Sequence, residues 1–223
     1  MMRRGCFVTG TDTGVGKSVV SAALLHALRR DGRPAVGMKP VASGCALTPD
    51  GLRNEDALRL QAASAPRPPY PLVNPVALPD PTAPQIAAAR AGVAVSLAAL
   101  LDAHRRLEAL AGRVVVEGVG GWMSGLGGGL DQVDLVRALD LPVLLVVGLR
   151  LGCLNHARLT ARAVVADGCH LLAWVGSRIE PPGNDADEYL GLLSAALPVP
   201  CWGVLPHAPG AAPEELAPYL ALA

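Results

Sequence analysis

Lysine is nearly absent from this 223-residue chain: Lys17 and Lys39 stand alone against seventeen arginines. Elsewhere positive charge is carried by the planar guanidinium fork, which does not replace a compact ammonium at a crowded anion site. The two lysines therefore mark places where a point charge is wanted. An excess of either charge is also missing, with Lys+Arg and Asp+Glu at 19 each. No basic block stands out, so neither nucleic acid nor anionic membrane is an expected partner, since both call for a Lys/Arg patch. Long apolar runs are lacking. The longest, Leu141–Leu149, is bounded by Asp140 and Arg150 and is too short to span a bilayer. The apolar stretch between Arg4 and Gly10 is too short for the core of a secretion signal, so the expected location is cytoplasmic. Paired cysteines are missing as well. Cys6, Cys45, Cys153, Cys169 and Cys201 are scattered, with no C-x-x-C pair and no zinc spacing, as expected of reduced structural thiols.

What is present reads as an α/β protein. Hydrophobic residues make up 51% and charged ones 17%, a globular composition, and the length suits one domain over residues 1–223. Short apolar runs alternate with helical periodicity, which predicts βαβ units in a three-layer arrangement, a mainly parallel sheet with helices on both faces. The expected strands are Gly5–Thr9, Ala35–Lys39, Val114–Glu117, Pro142–Gly148, Leu171–Val175 and Cys201–Leu205. Expected helices cover Lys17–Arg30, Ala57–Ala63, Ser96–Ala111, Leu154–Ala166, Asp185–Ala195 and Pro213–Leu222. Ala65–Pro84 carries eight prolines and no steady period, an ordered but irregular connection. Met123–Gly129 is glycine-rich and is expected to form a mobile flap.

The motifs fall at strand ends, where open α/β sheets collect ligands. Gly10-Thr-Asp-Thr-Gly-Val-Gly-Lys-Ser18 joins the first strand to a helix. Its backbone N–H groups and the helix N-terminus would surround phosphate, Lys17 would reach the outer phosphates, and Ser18 would ligate Mg²⁺. Five residues separate the first and last glycines, one more than the usual phosphate-loop spacing. Val114-Val-Val-Glu117-Gly-Val-Gly-Gly121 puts an acid at the end of a buried strand, a magnesium position in P-loop proteins. Lys39-Pro-Val-Ala-Ser-Gly44 follows the second strand; Lys39 would stabilise charge developing in phosphoryl transfer, and Ser43 would orient a substrate. Asp56, in Gly51-Leu-Arg-Asn-Glu-Asp56, is either a second magnesium carboxylate or a helix-terminal acid. Leu151-Gly-Cys-Leu-Asn-His156 opens another helix, whose amides beside Arg150 suit a carboxylate; His156 reads as structural.

Taken in order, these segments, with Pro181-Pro-Gly183, make the chain resemble the dethiobiotin synthetases, and the unusual phosphate-loop spacing is the one that family uses. The resemblance implies a P-loop NTPase fold. It also implies an ATP- and Mg²⁺-dependent ligase that closes 7,8-diaminopelargonate (7,8-diaminononanoate) and CO₂ into the cyclic urea dethiobiotin, through a carbamate and a carbamic–phosphoric anhydride. By this resemblance Lys39 and Lys17 are catalytic, and Ser18, Asp56 and Glu117 hold Mg²⁺. The nucleotide would meet Thr13, Gly14, Val15, Gly16, Lys17, Ser18, Val19, Asp56, Glu117, Gly118, Val119, Gly120, Ser177, Pro206 and His207. The substrate would meet Ser43, and across a homodimer interface Gly152, Cys153, Leu154, Asn155 and Tyr189. Ser177 stands where the family often has an adenine-reading asparagine, and Val119 where it has alanine. Three rival readings are a partner-binding switch of the ParA/MinD kind, which would carry a signature lysine in place of Asp12, another amide-forming synthetase on the same fold, and a nucleotide-binding remnant without activity, against which Lys17, Lys39 and the three magnesium ligands all stand.

Overall fold

The computed structural model describes residues 2, 4–181 and 186–222. Asp185, Pro182 and Gly183 lie outside the described residues. The six apolar segments form strands β1 (Gly5–Gly10), β2 (Val36–Met38), β3 (Val114–Glu117), β4 (Val143–Gly148), β5 (Leu171–Ser177) and β6 (Cys201–Leu205). All pair parallel, in the order β6-β5-β4-β1-β3-β2. Every residue of β1, β3 and β4 is buried, which is why these strands read as continuous apolar runs and not as an alternation.

Eight α-helices surround the sheet among the described residues, leaving aside a single turn at Tyr70–Val73. They are α1 (Lys17–Leu28), α2 (Glu55–Ala63), α3 (Pro84–Ala91), α4 (Leu97–Ala111), α5 (Gln132–Leu139), α6 (Cys153–Ala166), α7 (Ala186–Ala196) and α8 (Pro213–Leu216). Successive strand residues point to opposite faces. Cys6, Val8, Leu144 and Val146 pack with Leu24, Leu60 and Leu216 of α1, α2 and α8. On the other face Phe7, Val116 and Leu145 pack with Leu100, Leu135, Ala161 and Leu193 of α4, α5, α6 and α7. The result is the three-layer arrangement that the sequence predicts. Among the described residues no helix is long and apolar enough to cross a membrane.

Several boundaries differ from expectation for local reasons. β2 stops at Met38 because the Lys39 N–H is taken by Val73 O at 2.7 Å and Pro40 has no N–H to offer. The first helix ends at Leu28, with Arg29–Asp31 tightened into a 3₁₀ turn. The last helix, expected to reach Leu222, stops at Leu216; Ala217–Tyr219 is a 3₁₀ turn around Pro218, and Leu220 then bridges to Gly203. β5 runs two residues further than expected, to Ser177. The proline-rich stretch is more ordered than its composition suggests. It contains the turn at Tyr70–Val73, and Val76–Ala77 pairs in parallel with Val41–Ala42. Within the glycine-rich segment, Gly125–Gly127 pairs antiparallel with Leu130–Asp131.

One glycine decides where α2 lies. A Cβ on Gly37 of β2 would sit 2.8 Å from the Leu60 Cβ, so only glycine lets α2 rest directly on the strand. That contact brings the first turn of α2, with Asp56, over the carboxyl end of the sheet.

Candidate active site

The neighbours β1, β3 and β2 all end on the same side, and their register sets the chemistry side by side. Val8 of β1 pairs with Glu117, and Met38 of β2 pairs with Val116. The next residue after Met38 is Lys39, so its side chain arises beside Glu117. The Lys39 Nζ donates to Glu117 Oε1 at 2.5 Å, to Asp56 Oδ2 at 3.1 Å and to Gly118 O at 3.2 Å. From α1, Ser18 Oγ donates to the same Glu117 Oε1 at 2.7 Å. Glu117 is fully buried, and among the described residues its Oε2 has no hydrogen-bond partner.

After β1 the chain turns sharply into α1. Gly16 caps the helix at φ 91, in the left-handed region, and a Cβ there would collide with the Ser177 hydroxyl of β5. Among the described residues no side chain caps α1, so its first N–H groups are free to face an anion. The Lys17 Nζ folds back to donate to Asp12 O at 2.8 Å. The Asp12 carboxylate accepts from the Thr13 N–H at 2.7 Å and from Arg150 Nη2 at 3.0 Å.

Lys17, Ser18, Lys39, Asp56 and Glu117 line one cavity of about 800 Å³. Of the residues singled out in the sequence, Thr13, Gly14, Gly16, Lys17, Ser18, Val19, Lys39, Ser43, Asp56, Glu117, Val119 and Gly120 all face it. Val15 is buried beneath the loop against Gly10 and Gly148. Gly118 lies against the Gln132 side chain, and its carbonyl accepts from Lys39. Ser177 is buried just behind Gly16. Pro206 and His207 follow β6 and do not line the cavity. Gly152, Cys153, Leu154 and Asn155, where α6 begins, are also outside it, as is Tyr189 on α7, which packs against the core. One copy of the chain therefore does not bring this second group to the first.

Burial and charge oppose each other here. Burial alone would lower the Lys39 ammonium, but Glu117 and Asp56 more than offset this and hold it above the ordinary lysine value. Burial pushes the Asp56 carboxyl up, while Lys39 and the Ser18 hydroxyl bring it below its usual value. Among the described residues Lys17 has no carboxylate in direct contact. Burial first, then repulsion from Lys39, lower it to about 8, against the pull of Glu117, Asp56 and Asp12.

Asn54, not Asp56, caps α2: its side chain accepts from the Ala57 N–H at 3.2 Å. Asp56 is thus left free to turn into the cavity. The supports behind the site were not evident in the sequence. Asn74 is buried and donates to Lys39 O at 2.8 Å and to Val76 O at 3.1 Å. It accepts in turn from the Tyr70 hydroxyl at 3.1 Å, and that hydroxyl accepts from the Asn54 N–H at 2.8 Å. Buried Gln132 braces the glycine loop after β3, accepting from the Val119 N–H at 2.9 Å and donating to Gly121 O at 3.2 Å. Arg59, Thr82 and Gln85 also line the cavity without any motif to announce them. Asn54 alone had a readable signal, as a cap residue ahead of two acids.

The sequence is similar to known proteins over most of its length. It is 58% identical over 205 residues to the ATP-dependent dethiobiotin synthetase BioD of Xanthomonas oryzae pv. oryzae (strain PXO99A), covering 92% of each chain. To the ATP-dependent dethiobiotin synthetase BioD of Xylella fastidiosa (strain 9a5c) it is 57% identical over 215 residues, covering 96% of this chain and 95% of that one. The chain belongs to the dethiobiotin synthetase family. Residues 4–215 also match the family described as AAA domain. Solved structures similar to this dethiobiotin synthetase family member include a ParA family ATPase from Chlorobium tepidum TLS. That likeness has TM-score 0.59 at 13% identity and covers 98% of this chain and 91% of the other. The MinC:MinD cell division protein complex of Aquifex aeolicus gives TM-score 0.56 at 11% identity over 92% of this chain and 82% of that one. At such identities the likeness is one of fold, that of P-loop NTPases.

Proposed function

We propose that this chain is an ATP-dependent dethiobiotin synthetase, joining CO₂ to the two vicinal amines of 7,8-diaminopelargonate (7,8-diaminononanoate) with ATP hydrolysis. The observation that carries the reading is the meeting of Lys39, Asp56, Glu117 and Ser18 at the mouth of the phosphate loop. One substrate amine adds to CO₂ and loses a proton, giving a carbamate. A carbamate oxygen attacks the γ-phosphorus and ADP departs, leaving a carbamic–phosphoric anhydride. The second amine then attacks the carbamoyl carbon, the C–O bond breaks, phosphate leaves and the urea ring closes.

The protein's share is to hold two anions in line and to neutralise their charge. Lys17 and the α1 amides would take the phosphates. Lys39, buried and kept charged by its carboxylates, would turn toward the carbamate and the γ-phosphoryl as negative charge builds. Ser43, on the cavity wall, would fix the amine end of the substrate.

Magnesium fits the oxygens present. Ser18 Oγ, Asp56 and Glu117 are hard donors, and the buried, unpartnered Glu117 Oε2 offers a lone pair aimed at nothing else among the described residues. When bound, such an ion screens the phosphate charge. Gly152–Asn155 and Tyr189, outside the single-chain cavity, would serve the substrate carboxylate from a second copy, as the resemblance implies. Asp12, held by Arg150, stands where a ParA/MinD switch would have its signature lysine, which disfavours that alternative.

The test is incubation with the diamine, bicarbonate, Mg²⁺ and separate nucleoside triphosphates, following phosphate and cyclic urea together. One phosphate per urea with ATP is expected. Steady phosphate release that ignores the diamine would refute the assignment.

A further inference from the structure

The ammonium of Lys39 lies between the Asp56 and Glu117 carboxylates, on the same Glu117 oxygen that receives the Ser18 hydroxyl. These are the donors assigned to magnesium above, and this inference rests on that reading. Near them, the ammonium groups of Lys17 and Lys39 balance two carboxylates, so the nucleotide-free pocket has no net negative charge to draw in a dication. Lys39 is also held from behind: its backbone is tied by Val73 O and Asn74, and its side chain is almost wholly buried. We propose that Lys39 is a resident cation that keeps divalent metal out of the site until a nucleotide arrives.

The nucleotide supplies the missing negative charge. Its phosphates attract Lys39 away from the carboxylates, and the freed oxygens then accept the metal. One side chain thereby couples metal entry to nucleotide entry, and the same movement delivers its ammonium to the reacting phosphoryl. An empty site that held the dication alone would carry surplus positive charge beside two lysines, and its carboxylate oxygens would have to give up the ammonium first. Coulomb repulsion at these separations is large enough to decide the order of binding.

The prediction is read by metal binding and not by turnover. Mn²⁺ binding is measured by electron paramagnetic resonance on the full chain, with and without ADP, for the wild type, Lys39→Met and Lys39→Met/Asp56→Asn. Wild type is expected to bind Mn²⁺ weakly alone and tightly with ADP. Lys39→Met, with the carboxylates released, is expected to bind Mn²⁺ without nucleotide roughly 10-fold or more tightly than wild type. The added Asp56→Asn change should remove that gain, which places the metal at this site. Equal affinity of nucleotide-free wild type and Lys39→Met overturns the proposal, as does wild type that binds Mn²⁺ equally with and without ADP. If Lys39→Met does not fold, Lys39→Gln and the two wild-type measurements decide the matter. Absence of tight Mn²⁺ binding even with ADP would refute the magnesium assignment itself, a different result from failure of the exclusion alone.

Discussion

Two ammonium groups in one cavity differ in acidity, and their surroundings explain the contrast. Lys39 faces two carboxylates and stays charged; Lys17 faces a backbone carbonyl and is brought down to about 8. Phosphate oxygens would favour the charged form of Lys17, so nucleotide binding above pH 8 must take up a proton. Affinity should therefore fall as pH rises past about 8 and level off below it, by up to about tenfold per pH unit. Calorimetry in buffers of unequal ionisation heat measures that proton, and a pH-independent affinity with no uptake would contradict it. Substituting Lys39→Arg keeps the charge but puts a planar fork where three donors converge on Asp56, Glu117 and a carbonyl. Turnover should drop by roughly 10²–10³-fold with nucleotide affinity nearly kept; rapid-quench kinetics and equilibrium binding separate the two. The main charged residues were legible because each sits in a short motif at a strand end. Gln132 and Asn74 were not, since their partners lie 13 and 35 positions away and no local spacing announces them.

At the scale of elements, the six strands were legible because both faces of the sheet are covered, so each strand is a short apolar run. Helices α3 and α5 escaped notice; α3 lies at the end of the proline-rich stretch, and α5 follows the glycine-rich hairpin. What the composition concealed is that these irregular segments form the back wall of the site. The loop after β3 depends on Gln132, at the start of α5, for its geometry. Gln132→Ala would leave the half-buried Val119 N–H without its acceptor, at a cost of about 0.5–1.5 kcal/mol in urea denaturation. Its KM for nucleotide should also rise, because the loop carrying Val119 and Gly120 is no longer braced. Unchanged stability and unchanged KM would remove Gln132 from the account. The α1 cap is equally local: Gly16→Ala must strain a left-handed backbone and push on Ser177, so it should weaken nucleotide binding before it unfolds the chain.

For the molecule as a whole, one sheet sets the order of events. Its parallel register puts Glu117 beside Lys39 on one side and the end of β1 on the other, while the start of α6 lies across β4, outside the same cavity. A substrate long enough to carry amines at one end and a carboxylate at the other would then need a second copy for its far end. Tyr189→Ala should raise KM for the diamine well above any change in KM for ATP, and sedimentation should find a dimer. A monomer with full activity would contradict the shared site. The chemical claim at the centre is that a carbamate oxygen, not water, attacks the γ-phosphorus beside Lys39. A single turnover with ¹⁸O-labelled CO₂ in unlabelled water tests it most directly. The account predicts one CO₂-derived oxygen in the released phosphate and the other in the urea carbonyl; phosphate that takes its new oxygen from solvent would contradict it.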